Sequence, residues 1–149
     1  MKKLITNALN KAVGTESAPI TAAIEKGGIR RFAEAIDDPN PLFQDELVAR
    51  SSRYGGIVAP PTFLRSLPTS RPELPVDPPL ERILDGGSAW EYLEPVRSGD
   101  VITAVTQISD LNERESKSIG QMLIATFETI YTNQFGYVVA KQRATTIHY

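Results

Sequence analysis

The chain contains no cysteine. Disulfides, thiolate nucleophiles and Cys-based metal centres are therefore excluded. There is one histidine, His148, beside the C-terminal residue. A His-rich metal site cannot form within one copy, a local Ser-His-Asp triad is disfavoured, and no metal or redox cofactor is expected. No apolar run approaches the ~20 residues of a membrane span. Met1-Lys2-Lys3 imitates the start of a signal peptide, but Leu4-Ile-Thr-Asn-Ala-Leu-Asn-Lys11 is too polar for its apolar core. A cytoplasmic protein is expected. Neither sign of charge is in excess: 16 Lys and Arg stand against 18 Asp and Glu. The net charge of −2 gives no electrostatic case for nucleic acid or for an anionic membrane.

What is present is an ordinary globular composition, 41% hydrophobic and 23% charged, over 149 residues. That length suits one domain with one core. The first ~14 residues can form a short helix with Leu4, Ile5, Ala8, Leu9 and Ala12 on one side, ended by Gly14. It reads as a terminal extension over 1–17, with the main domain over 18–149. Pro19 to Ile24 is a short strand or loop. Gly27-Gly28 then precede a helix whose stripe is Ile29, Phe32, Ala33 and Ile36. Asp37-Asp38-Pro39 ends it, because the residue before proline avoids the helical region. Asp45 is placed to cap a helix through Arg50. Pro61 opens a helix through Leu67 that carries Phe63, Leu64 and Leu67, and this is the expected buried helix.

Five prolines between Pro68 and Pro79 exclude helix and central strand there, leaving an extended surface loop. Beyond Leu80 the pattern turns to strands. They span Glu81 to Glu94 with a bulge at Gly86-Gly87, Val101 to Ile108, Met122 to Tyr131, and Tyr137 to Ile147. Arg97 to Asp100 and Asn133 to Gly136 are the turns. Helices first and about four antiparallel strands afterwards imply an α+β domain. A sheet of this kind wrapped around a central helix is the hotdog arrangement.

The most informative stretch is Phe32-Ala-Glu-Ala-Ile-Asp-Asp-Pro-Asn-Pro-Leu-Phe-Gln-Asp45. With Tyr54-Gly-Gly-Ile-Val-Ala-Pro-Pro-Thr-Phe63, the segment Leu84 to Ile102, and Tyr131-Thr-Asn-Gln-Phe-Gly136, it resembles the MaoC-like dehydratase N-terminal domain family. The resemblance covers about residues 19 to 147. That family includes substrate-side subunits of mycobacterial hydroxyacyl-ACP dehydratases and is similar to the N-terminal repeat of eukaryotic double-hotdog hydratases. It implies a single hotdog domain and a substrate carried on coenzyme A or phosphopantetheine. Its active-site motif reads roughly G-D-x-N-P-(L/I)-H-x-D, where the Asp and His together handle a water molecule. Asp38, Asn40, Pro41, Leu42 and Asp45 fall in place. The histidine position holds Phe43, and a phenyl ring cannot move a proton. Catalytic relatives continue Ile-Val with His-Gly-Met, whose glycine N–H is taken to bind the thioester oxygen. Here Ala59-Pro60-Pro61 follow, and proline has no N–H.

With general acid/base and oxyanion donor both missing, the resemblance implies a non-catalytic, substrate-accommodating subunit of a heteromeric (R)-specific enoyl-CoA hydratase or 3-hydroxyacyl thioester dehydratase. Its partner would be a paralogous catalytic MaoC-like subunit, or a second copy in isolation. Two alternatives stand beside this: an acyl-thioester-binding homodimer without catalysis, and a thioesterase using Asp38 or Glu34. Asp38 and Asn40 are either a residual water-binding pair or braces of their own turn. Phe43, Val58, Ala59, Phe63 and Trp90 are the candidate substrate contacts. Trp90 and Tyr92 also fit core or interface positions. Arg30, Arg31, Arg50, Arg53 and Arg97 fit either a phosphate at a subunit boundary or a solvated surface. His148 is expected to be exposed and inert.

Overall fold

The computed structural model describes residues 3–76 and 80–149. Pro78 and Pro79, part of the expected proline-rich loop, lie outside the described residues. Over 67–76 the chain forms neither helix nor strand.

Helix α1, Asn7–Ala12, starts where the Thr6 hydroxyl accepts the Leu9 N–H at 3.3 Å. Strand β1 spans Ile20–Ala23 and helix α2 spans Lys26–Ala35. A 3-10 turn covers Pro41–Phe43, and helix α3 covers Glu46–Ser51. A second 3-10 stretch covers Pro61–Ser66. Four long strands follow: β2 Ile83–Tyr92, β3 Val101–Ser116, β4 Gly120–Thr132 and β5 Val138–His148. With β1 they form one five-stranded antiparallel sheet in the order β1-β3-β4-β5-β2. The arrangement is a hotdog, α+β.

The expected Asp45 cap is present: its carboxylate accepts the Leu47 and Val48 N–H groups at 2.9 and 3.1 Å. The β2 bulge is also present, with a register shift between Asp85 and Gly87. Other expectations need correction. Gly27 and Gly28 lie inside α2 rather than before it. Glycine in a helix costs about 1 kcal/mol, but burial of Ile29 and Ala33, both fully enclosed, outweighs it. The helix expected after Pro61 is only a 3-10 stretch, and the central helix is α2. Phe63 and Leu64 are buried all the same, with Phe63 edge-on to Phe32 of α2 at 5.5 Å. β3 and β4 continue as a hairpin through residues 109–121, where Leu111 alone is buried and a bulge between Ile108 and Asp110 breaks the alternation, so the sequence shows no strand pattern there.

The concave face carries two apolar clusters. One joins α2 and the 3-10 segments to Ile102, Ala104, Tyr131, Val139 and Ala140. The other joins α1 to Ile108, Leu111, Leu123, Ala125 and Phe127, with Leu74, Val76 and Leu80 against it. The N-terminal residues are thus built into the sheet's cover. The Gly14 and Ser17 N–H groups donate to Ile108 and Thr106 carbonyls at 2.7 Å each, and Glu113 Oε2 accepts the Leu4 and Ile5 N–H groups.

Between the clusters the Thr106 and Thr129 hydroxyls share a buried hydrogen bond of 2.8 Å. Removing one hydroxyl strands the other, whereas removing both leaves matched apolar groups. Thr106→Val is expected to cost about 1–3 kcal/mol and Thr106→Val/Thr129→Val much less. Urea unfolding of the three proteins checks this; a double variant less stable than the single would contradict it.

Candidate functional site

The turn after α2 is tightly self-braced. Asp37 adopts φ +54°, in the left-handed region that Asp tolerates better than most residues. Asp38 Oδ1 accepts the Asn40 N–H at 3.1 Å, and Asn40 Oδ1 accepts the Leu42 N–H at 3.0 Å. The Asp38 carbonyl accepts from the Gln44 amide at 3.2 Å. Both polar side chains of the motif therefore hold backbone.

This turn forms one wall of a cleft of about 480 Å³. Leu42, Phe43, Val58, Ala59, Pro61 and Leu64 line its apolar side, Asn40, Arg53 and Tyr54 its polar side, and residues 92–96 its far wall. The cleft brings together three of the five candidate contacts: Phe43, Val58 and Ala59. Phe63 turns instead into the core, and Trp90 is half-buried in an aromatic stack, 5.8 Å from Tyr92 and 5.5 Å from Tyr131. Asp38 is outside the lining and Asn40 within it. Phe43 is only 7% exposed and packs among Ile29, Ala33 and Ala49 as well as facing the cleft.

The backbone donors of Val58 and Ala59 are both engaged. Val58 N–H donates to the Leu42 carbonyl at 3.2 Å and Ala59 N–H to the Val96 carbonyl at 2.8 Å. Pro60 and Pro61 have none. Residues 58–61 therefore present no free N–H to an oxyanion.

Of the five candidate arginines, only Arg53 lines the cleft, where it donates to the Tyr54 hydroxyl at 2.7 Å. Arg30 pairs with Glu34 and Arg50 with Glu46. Arg97 donates to the Tyr54 carbonyl at 3.2 Å, fixing that residue. Tyr54, Leu64 and Tyr92 were not singled out as contacts from sequence. No pattern marks them, because the cleft forms where three distant segments meet. Among the described residues no group of His, Asp and Glu could hold a metal ion, and no helix is long and apolar enough to cross a membrane.

His148 corrects an expectation. It is half-buried on β5, opposite the fully buried Leu123, and shares a 2.9 Å hydrogen bond with Thr146. Burial, then the charge of Arg71, hold its pKa below the usual value. Tyr131, 1% exposed, behaves oppositely. Burial pushes its hydroxyl up to about 12, with Tyr92 adding to the rise and Arg71 and Arg65 opposing it. The unfolded tyrosine loses its proton near 10.0 and the folded one near 12. Its contribution to stability is therefore whole below pH 10 and is lost as pH rises through that window. Unfolding free energy should fall between those values, and Tyr131→Phe should flatten that fall. An unchanged slope in the variant would contradict the assignment.

A family model described as "FAS1-like, dehydratase domain region" matches residues 11–142. A UPF0336 protein of Thermobifida fusca is 39% identical over 90 residues, which are 56% of this chain and 58% of that protein. Among solved structures, a MaoC-like dehydratase from Rhodospirillum rubrum is 28% identical. It superposes with a TM-score of 0.72 over 93% of this chain and 92% of its own. A chain of the ChsH1-ChsH2 complex from Mycobacterium tuberculosis shares the fold at a TM-score of 0.81, with 19% identity over 95% of this chain and 94% of its own.

Proposed function

This chain belongs to the family of the FAS1-like dehydratase domain region, and we propose that it is the substrate-accommodating, non-catalytic half of a cytoplasmic, heteromeric hydratase or dehydratase for acyl thioesters. The reaction adds water across a trans-2-enoyl thioester, hydroxyl to the β carbon and proton to the α carbon, giving an (R)-3-hydroxyacyl thioester, or runs in reverse. A paralogous hotdog subunit would bring the Asp and His that handle the water and the N–H that steadies the thioester oxygen. This chain would bring half of the double hotdog and an apolar wall. The neighbouring ChsH1-ChsH2 structure, a complex of two named chains, supports such a pairing.

The observation that carries the reading is the state of the cleft. Phe43, which stands where the motif of the resembling family has its histidine, lines the cleft, and the backbone from Val58 to Pro61 has no donor to spare. A thioesterase built on Asp38 or Glu34 is less favoured, because Asp38 braces its turn and Glu34 is exposed and paired with Arg30.

Strand β2 offers the surface for the partner. It lies at the sheet's edge, with Ile83 61% exposed, Leu84 and Tyr92 more than 40% exposed, and Leu93 just beyond the strand exposed as well. An unpaired edge with apolar side chains favours strand-to-strand association. Light scattering is expected to find a dimer or a heteromer; a strict monomer with and without the partner would contradict the interface. The activity test is hydration of enoyl-CoAs of several sizes, by the chain alone and co-purified with a hotdog subunit that carries the Asp–His motif. The chain alone is expected to be inactive and the pair active. A turnover of roughly 1–1000 per second by the chain alone would refute the reading.

A further inference from the structure

Alternate residues of strand β2 share one face of the sheet. Tyr92, Trp90 and Ser88 sit opposite Ala140, Gln142 and Ala144 of β5. Tyr92 lines the cleft described above. Past Trp90, Ser88 lines a second groove of about 360 Å³, bounded by β2, β5 and the segment from Arg65 to Arg71. The groove has a polar floor. Tyr131 hydroxyl donates to Gln142 Oε1 at 3.4 Å, and Gln142 Nε2 donates to Ser88 Oγ at 3.3 Å.

Two arginines stand over this floor. Arg71 is exposed, with its guanidinium 5.0 Å from the centroid of the Phe127 ring. The charges of Arg65 and Arg71 both act on the Tyr131 hydroxyl. Among the described residues neither arginine pairs with a carboxylate; the ion pairs lie elsewhere. The one acidic lining residue is Asp85, whose Oδ1 is engaged by the Gly87 N–H at 2.8 Å. Two arginines against one aspartate leave the lining with a formal charge of +1. That matches a monoanion better than a phosphate, which carries about −1.5 to −2. A guanidinium fork also fits the two oxygens of a carboxylate.

We propose that this groove binds a carboxylate at the far end of an acyl chain whose thioester end lies in the first cleft. The inference rests on the acyl-thioester reading above and narrows its substrate class to ω-carboxyacyl thioesters. The chain would cross from one cleft to the other along the stacked rings of Tyr92, Trp90 and Tyr131.

The test is calorimetric titration of the full chain, alone and with its partner subunit. The probes are a ladder of ω-carboxyacyl-CoAs, each matched with the methyl-ended acyl-CoA of the same length. At one length or more the carboxylate form is expected to bind roughly tenfold tighter or better, the range for charge-assisted hydrogen bonds. Arg65→Gln/Arg71→Gln should abolish that preference and leave methyl-ended affinity unchanged. Both side chains are exposed, so the variant is expected to fold. Equal affinity at every length, or a preference that survives the double substitution, overturns this proposal and leaves the hydratase reading standing. No binding of either probe series overturns both.

Discussion

Phe43→His alone will leave the chain without hydratase activity. The substitution puts an imidazole where catalytic relatives have one, but the ring enters a pocket only 7% exposed and packed by Ile29, Ala33 and Ala49. Burying a polar ring there without a partner costs about 1–3 kcal/mol. The thioester oxygen would still meet a backbone whose N–H groups are spent at Val58 and Ala59 and missing at Pro60 and Pro61. Restoring one oxyanion donor is worth about 2.7–4 kcal/mol of transition-state stabilisation, or roughly 10²–10³ in rate. Pro60→Gly or Pro61→Gly is therefore required beside Phe43→His. The two changes should be strongly non-additive, since both serve one transition state. Steady-state hydration rates of each single variant and the combined variants check this. Robust activity from Phe43→His alone would show that the prolines do not block the oxyanion position.

Leu9→Ala will destabilise the whole domain rather than fray one end. Leu9 is fully buried against Ile108, Leu111, Leu123, Ala125 and Phe127. Truncating a buried leucine costs about 2–5 kcal/mol, depending on how far the site collapses. Thermal unfolding should remain one cooperative transition at a lower midpoint. If α1 were a loosely docked extension, the variant would unfold like wild type. The exposed Val13 supplies the contrast, and Val13→Ala should change stability little.

That contrast shows where the sequence was legible. The Asp45 cap, the Gly86-Gly87 bulge, the turns and the core strands were readable because each rests on local chemistry: a side chain satisfying helix N–H groups, a glycine at positive φ, an alternating apolar face. The misreadings occur where distant segments decide. Gly27 and Gly28 are poor helix formers, yet α2 is held by what Ile29 and Ala33 bury. The 109–121 hairpin buries only Leu111, too little to print a period on the sequence, and its pairing continues β3 and β4 past a bulge between Ile108 and Asp110. His148 looked like a terminal residue because nothing local reveals that β5 carries it over Leu123.

The candidate site divides the same way. The turn from Asp38 to Asp45 and the prolines after Ala59 were singled out by the resemblance to the MaoC-like family, and the structure places Asn40, Phe43, Val58, Ala59 and Pro61 around one cleft. The contributions of Tyr54, Leu64 and Tyr92 depend on how the two halves of the chain fold against each other. So does the inward turn of Phe63, which its sequence neighbours do not distinguish from Leu64.

The measurement that bears most directly on the central claim is hydration by the proposed heteromeric enzyme carrying Asp38→Asn in this chain. Asparagine keeps the Oδ1 that accepts the Asn40 N–H, so the turn should survive, while the carboxylate is gone. If this chain only accommodates substrate, kcat will be unchanged, and replacing the partner's own motif Asp will abolish it. A loss of activity from Asp38→Asn comparable to removing a general base, about 10²–10⁴-fold, would contradict the account and make this cleft catalytic.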